Sequence, residues 1–384
     1  MPKKLKKNSI IFINPDYHCS FIYRDKLEEL GWKASVYVNH RYPKDLLYST
    51  ENIYYFPISE KFFIGKLIQK IADILFFIYI NFKYKFHFYY SNLDGFSLLE
   101  KTLGLEKIFG MGFRISLLFS KLCGVKIIYV PSGCNDILTK KEFSKIDQGN
   151  ICNNCGSICN DNFNTNKMAV VKRYSDLNVC DGSYFSNDYK IKPIKYKSLR
   201  LDMWKPHLKI PKKFLLPKTD NIRILHSFYN KDREIDDKNI KGSPHILDAI
   251  ERLKNEGYKL EYIYINKTKS KDMRFLQSQA DICIDQLIYG WIGSTAIETG
   301  SLGKPVIVYL NEDWKKNFFN CFPQYKSLPY IEANIFNVYE VLKNLLENKD
   351  LIKHYGKKSR EFSLAHHDIN KNGPDFEKML LSLK

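Results

Sequence analysis

The residues with the clearest chemical potential are grouped in 280–310, ADICIDQLIYGWIGSTAIETGSLGKPVIVYL. Asp281 to Asp285 alternates with apolar Ile282 and Ile284, as a strand does. Gly290 and Gly293 permit tight backbone turns. Ser294 or Thr295 can cap a helix running to about Leu302, Gly303 ends it, and 305–310 is a β-branched strand. Glu298 falls one turn inside that helix, near its positive end. Amides at a helix start, with an acid beside them, suit the phosphates and ribose of a nucleotide. The plain alternative for Glu298 is a solvated helix residue.

A second group is Cys152, Cys155 and Cys159 in NICNNCGSICND, residues 150–161. Thiolates two residues apart can share one zinc ion from a tight turn, and Gly156 allows the bend. A closed tetrahedral site needs a fourth ligand, for which Cys134 and Cys180 are the candidates. Three readings stand: a structural zinc stapling the loop, an iron–sulfur cluster, or unligated thiols in a polar loop. The chain has nine cysteines and no recognisable signal peptide, so reduced thiols or metal ligands are expected rather than disulfides.

A third group lies where strands end, because open α/β sheets bind ligands at the carboxyl ends of their strands. Asp16 and His18 follow the strand 10–13. Asp136 sits in PSGCND, after the strand 125–130. His226 follows the strand 222–225, where it reads equally as a ligand contact or a satisfied core histidine. Each of these turns also reads as an ordinary polar connection.

The elements that position these residues repeat a simple order. Strand 10–13, helix 20–30 and strand 34–38 form a βαβ unit, which predicts a parallel sheet. Residues 61–90, KFFIGKLIQKIADILFFIYINFKYKFHFYY, begin as a helix and end in a strand, 86–90. In the helix, Ile64, Leu67, Ile68, Ile71, Leu75 and Ile78 share one broad apolar side. That side is either core or a surface offered to a membrane. A helix at 110–122, a strand at 125–130, a helix at 168–177 and a strand at 177–180 complete the first half. Residues 190–213, basic and carrying Pro193, Pro206 and Pro211, read as the link between domains. The second half repeats the pattern. Strand 222–225 leads to a helix from Pro244 to Glu256 that Ser243 caps. Strand 260–265 and a short helix at 273–279 follow. Closing helices at 339–347 and 350–362 and a last helix from about Asp375 finish the chain. The expected division is 1–205, 206–365 and a terminal helix, 366–384, returning to the first domain.

Length and charge bound the classes. The chain has 384 residues, 44% apolar, enough for two cored domains. Its net charge of +18 favours anionic partners, or simply reflects a Lys-, Ile- and Asn-rich coding bias. No apolar run reaches the roughly 18 residues of a membrane span.

Two doubly wound halves joined by a linker resemble the GT-B glycosyltransferases. In the second half, HSF, the Lys-Gly pair at 241–242, ILDAIERLKNEGY and the 280–310 stretch resemble the group-one members that use nucleotide sugars. The resemblance covers 222–310 well and 353–369 more loosely. It implies an α/β protein of GT-B fold, two Rossmann-like domains facing across a cleft, with a cysteine-rich insertion in the first. It implies a phosphate-binding role for Lys241, with Arg233 or Lys238 as companion, and a ribose contact for Glu298. His226, Gly293, Ser294 and Thr295 complete the implied donor-nucleotide site. The family pairs two glutamates eight residues apart. Here the first falls on Gly290, with Asp285 the nearest substitute. A general base, needed only for inversion, would come from Asp136, Asp16 or His18. The implied activity is transfer of a sugar from a nucleotide sugar to a saccharide or lipid-linked acceptor in cell-surface glycan synthesis. Protein cations replace a catalytic metal there, so no cofactor is needed for the chemistry and any zinc is structural. A cytoplasmic protein, peripheral at the inner membrane face, is the expected setting. A nucleotide-sugar epimerase or other group transferase on the same frame is the alternative enzyme. A non-enzymatic nucleic-acid or polyanion binder is the alternative class, although the basic residues are spread along the chain and no nucleic-acid motif is present.

Overall fold

A computed structural model of the chain describes residues 8–16, 18–38, 48–49, 51–55, 63–91, 93, 105–110, 112–132, 140–145, 150–154, 161–181, 191–227, 239–265 and 268–383. Two parallel sheets organise it. The first has seven strands in the order β3-β2-β1-β4-β5-β6-β7. They are β1 (Ser9–Ile13), β2 (Lys33–Tyr37), β3 (Ile53–Tyr54), β4 (Phe86–Tyr90), β5 (Lys126–Val130), β6 (Leu177–Cys180) and β7 (Ile191–Pro193). The second has five, in the order β12-β11-β10-β8-β9. These are β8 (Ile222–Ser227), β9 (Leu260–Ile265), β10 (Ile282–Ile284), β11 (Val306–Val308) and β12 (Ile331–Glu332). All paired strands run parallel, as the repeated strand–helix–strand pattern requires. β10 and, after Ser9, β1 are continuous apolar runs, buried at every position because helices cover both faces.

The helices of the first half are α1 (Cys19–Glu29), α2 (Phe63–Lys83), α3 (Leu105–Phe109), α4 (Ile115–Leu122), α5 (Lys140–Phe143), α6 (Asn150–Asn153) and α7 (Asp161–Tyr174). Those of the second are α8 (Ser243–Asn255), α9 (Met273–Gln277), α10 (Ser294–Ser301), α11 (Glu312–Cys321), α12 (Val338–Glu347) and α13 (Lys349–His366). The terminal α14 (Ile369–Ser382) packs on α1 of the first half. The Phe376 ring lies 4.6 Å from that of Tyr23, and Trp32 Nε1 donates to Glu377 Oε1 at 2.7 Å.

Four local expectations change. Residues 190–213 are more than a link. β7 adds the outermost strand of the first sheet, and Tyr196, Leu199 and Trp204 are buried just beyond it. Pro193 is tolerated there because an edge strand needs no donor on its outer side. The basic residues between the buried rings hide the core character of this stretch. In α2, Ile64, Leu67, Ile68, Ile71, Leu75 and Ile78 are exposed, while Gln69, Asp73 and Asn81 are buried. The core reading of that apolar side therefore fails. Neither Ser243 nor Ser294 caps its helix: Gly242 and Gly293 occupy the N-cap positions. Finally, α11 and β12 follow β11 where no element was expected. Asn311 starts α11, its side chain accepting from Asp313 N at 2.9 Å.

Candidate active site

β10 ends at Ile284, and the next residue, Asp285, is fully buried. Its carboxylate joins two loops. Oδ1 pairs with Lys241 Nζ, and Oδ2 accepts the Gly293 N–H at 2.9 Å. Lys241 sits in a turn that Asn239 shapes: Asn239 Oδ1 accepts from Lys241 N at 2.9 Å, and its carbonyl accepts from Gly242 N at 2.8 Å. Leu287 N then donates to the Lys241 carbonyl at 3.1 Å. A buried carboxylate with a salt-bridge partner and an amide donor is satisfied, which makes the burial tolerable.

The two glycines of this turn are required for different reasons. Gly290 has φ +81°, and a Cβ there would lie 2.8 Å from Asn311 Cβ. The position that the family resemblance assigns to an acid thus has a left-handed backbone and no room for a side chain. At Gly293 the backbone is ordinary, but a Cβ would lie 2.3 Å from Asp285 Oδ2. Its need for glycine comes from the carboxylate.

Gly293 leads into α10. The first intrahelical donor is Ile297 N, bonded to Gly293 O at 3.3 Å, so the amides of Ser294, Thr295 and Ala296 precede the helical ladder. No side chain caps them. One turn later, Glu298 is 5% exposed, not the solvated residue of the plain alternative. Its Oε2 accepts from Gln277 Nε2 of α9 at 2.6 Å. Burial pushes its pKa up to about 8, so the carboxyl holds a proton at neutral pH.

His18, at the start of α1 in the first half, faces Glu298 across the cleft, Nδ1 to Oε1 at 3.7 Å. This is beyond hydrogen-bond distance. His18 is buried, and that burial lowers its pKa and keeps the ring neutral. Among the described residues, His18 Nδ1 and Gln277 Oε1 are buried without hydrogen-bond partners. Both flank Glu298, so the place has polar capacity to spare. Asp16, two residues before His18, accepts from Ser20 N at 2.8 Å and so serves the first turn of α1.

Sequence reasoning missed Gln277, Asp181 and Lys197. Lys197 Nζ donates to Ile292 O at 3.1 Å and lies 3.5 Å from Asp181 Oδ2, and together they line a cleft between the halves with Ile297. Asp181 follows the carboxyl end of β6, a position that could have flagged it. Lys197 carries no such signal, being one of many lysines in a basic stretch. His226 takes the core reading. Burial lowers its pKa to about 4, so the ring is neutral. Nδ1 donates to the Ile284 carbonyl at 2.8 Å, leaving Nε2 to accept from the Ser243 hydroxyl at 2.7 Å. The ring ties β8, β10 and the start of α8 together.

Asp136, Arg233, Cys134, Cys155 and Cys159 lie outside the described residues, as does the Cys180 side chain. Cys152 is half-buried in α6. Among the described residues no group of three His, Cys, Asp or Glu side chains is placed to hold a metal ion.

No protein-family model and no curated protein sequence matches the chain. Solved structures match along its whole length. A sucrose-phosphate synthase from Thermosynechococcus elongatus superposes with a TM-score of 0.60 at 11% identity, over 98% of this chain and 99% of its own. HepE of Anabaena, solved with UDP and glucose, gives 0.61 at 12% identity, over 97% and 99%. A glycosyltransferase from Rickettsia africae gives 0.59 at 13%, over 98% of each chain.

The chain has the GT-B fold. In a GT-B frame the seven-stranded and five-stranded halves face each other across a cleft. Here the two halves approach within 3.7 Å at His18 and Glu298. Lys241, Asp285, Gly293 and the start of α10 cluster at the carboxyl end of β10, the position where open parallel sheets take ligands.

Proposed function

We propose that the protein is a glycosyltransferase. It moves a sugar from a nucleotide-sugar donor, held by the second half, to a saccharide or lipid-linked acceptor held by the first. The observation that carries this reading is the convergence of Lys241, the α10 amides and the buried Glu298 opposite His18. Lys241 and the amides of Ser294, Thr295 and Ala296 supply positive potential for a diphosphate. Glu298 offers a carboxyl that can both donate to and accept from a ribose diol. Asp285 sets the direction of Lys241 and, through Gly293, the direction of the helix start.

In the transfer, the bond between sugar C1 and the diphosphate oxygen breaks. A new bond forms from C1 to an acceptor hydroxyl, whose proton leaves with a base. Further negative charge develops on the already anionic diphosphate as it departs, and a lysine with aligned amides stabilises that added charge more than the charge the donor already bears, which is the condition for catalysis. His18, neutral and with Nδ1 unpartnered, is the first-half group that faces this centre.

Calorimetry against nucleoside diphosphates, with a release assay on a panel of their sugars, tests the proposal. Lys241→Ala and Glu298→Ala are each expected to weaken binding of the preferred nucleoside diphosphate by about tenfold or more. Binding equal to the parent in both variants rejects the site.

A further inference from the structure

We propose that the outward face of α2, extended by α3 and α4, seats the protein flat on an anionic lipid bilayer. Eight large apolar residues of α2 are exposed, from Ile64 at 69% and Leu75 at 63% down to Ile78 at 40%. The others are Leu67, Ile68, Ile71, Tyr79 and Phe82. At 100° per residue they fall within an arc of about 120°. From Ile64 to Phe82 that stripe is about 27 Å long, at 1.5 Å per residue. α4 continues it, and α3, just before α4 in the chain, adds further exposed apolar residues. Phe82 meets the Phe119 ring of α4 at 6.5 Å, and Leu118 and Leu122 of α4 are exposed beside it. Phe109 of α3 stacks on Phe113 at 4.7 Å, and Ile108 and Phe109 are also exposed. Among the described residues, thirteen of the seventeen exposed large apolar side chains belong to these three helices. A scatter of single exposed residues is ordinary, whereas a contiguous patch marks a docking surface.

The face is held outward. On the inner side of α2, Asp73 accepts from Gln69 Nε2 at 2.9 Å and from the Tyr37 hydroxyl at 3.3 Å. Phe76 packs on Tyr37 at 4.9 Å and Ile80 is fully buried. Rolling the helix to hide its apolar stripe would break these contacts and turn Asp73 to the outside.

Charge selects the occupant. α2 and α4 carry one acid between them, the inward Asp73, and α3 carries Glu106 beside Lys107. Lys70 flanks the stripe, Lys107 lies on α3, and the Arg173 guanidinium sits 5.5 Å over the Phe113 ring. An apolar band with basic flanks and interfacial Tyr and Phe matches acyl chains below a layer of lipid phosphates. A symmetric pair of copies would set the same basic flanks against each other, which disfavours self-association. No described helix is long and apolar enough to cross a membrane, so the contact lies in the plane of the surface.

The full chain should be sedimented with vesicles of phosphatidylcholine alone, and of phosphatidylcholine with about one-third phosphatidylserine. The parent is expected to pellet with the anionic vesicles, and less so as salt is raised. Ile68→Asp with Leu75→Asp should reduce the bound fraction about tenfold or more, with the melting temperature unchanged because both positions are exposed. Lys70→Gln with Lys107→Gln should reduce it several-fold on anionic vesicles. A parent that stays in the supernatant with anionic vesicles overturns the proposal. So does an Ile68→Asp, Leu75→Asp variant that pellets like the parent. A parent that is dimeric by light scattering, made monomeric by those two substitutions and indifferent to vesicles, also overturns it and makes the face a self-interface. None of these readouts uses transfer activity, so the fate of the donor-site reading does not affect them.

Discussion

α10 and α2 depart from the usual inside–outside rule in opposite directions. α10 buries an acid, Glu298, where the two halves meet. α2 exposes a stripe of aliphatics and buries Gln69, Asp73 and Asn81. Both arrangements are costly for a folded chain in water alone. A carboxyl out of water must be paired or protonated, and an apolar patch in water forfeits the stabilisation of burial. The two compensations differ. Glu298 gains one hydrogen bond from Gln277 and takes up a proton. α2 is fixed by its inner contacts, and most of its apolar outer face stays exposed among the described residues. The first departure is compensated within the fold, and the second is the face that we propose rests on a bilayer.

The contrast can be broken at its centre first. Asp285→Ala removes a fully buried partner of Lys241 and of the Gly293 amide. Truncating one member of such a pair is expected to cost about 3–5 kcal/mol, an upper range here because Lys241 is partly exposed. Urea denaturation measures it, and nucleoside diphosphate binding should fall with it. A cost below about 1 kcal/mol would mean that Asp285 does not organise the site.

α2 offers an internal control. Ile80→Ala deletes a fully buried side chain and should cost about 2–5 kcal/mol. Leu75→Ala, five residues earlier on the outer face, should stay within about 0.5 kcal/mol of the parent. Comparable losses at both positions would show that the outer face is covered by the chain itself.

The proton on Glu298 gives the subtlest effect. Its carboxyl is raised from 4.5 to about 8 in the fold. The folded state therefore binds a proton that the unfolded state releases. That stability is complete below about pH 4.5 and is lost as pH rises towards 8. Glu298→Gln keeps the shape and removes the proton, so the parent should lose stability relative to the variant across this window, by an order of 1 kcal/mol per pH unit. The parent–variant difference in urea midpoint, read at several pH values, isolates Glu298 from His18, whose burial acts in the opposite sense. A difference that stays flat from pH 5 to 8 would place the proton elsewhere.

Much of the second half was legible. Gly290, Gly293 and Gly303 punctuate β10, α10 and β11, and β-branched residues mark the strands between them. The family resemblance of the Lys-Gly pair singled out Lys241, which by residue type alone read equally as a surface lysine. Gln277 and Lys197 were not legible. Each is an ordinary polar residue until a distant element approaches it. The pairing of His18 with Glu298 is of the same kind, since its partners belong to different halves. In 190–213 prolines and lysines signalled a linker, and the burial of Trp204 was hidden because no periodicity marks an irregular core segment.

The sequence by itself determined the alternation of strands and helices, hence two parallel sheets, and placed an acid inside the helix after a glycine turn. These follow from local rules: side-chain period, backbone freedom and capping. It also determined that α2 has an apolar stripe. Whether that stripe faces in or out was decided only by the tertiary structure, where Tyr37 takes Asp73 inward. The protonation of Glu298 and the need for glycine at 293 were decided there as well. Burial and charge pairing depend on which distant groups arrive beside a residue, and a periodic pattern along the chain carries no record of them.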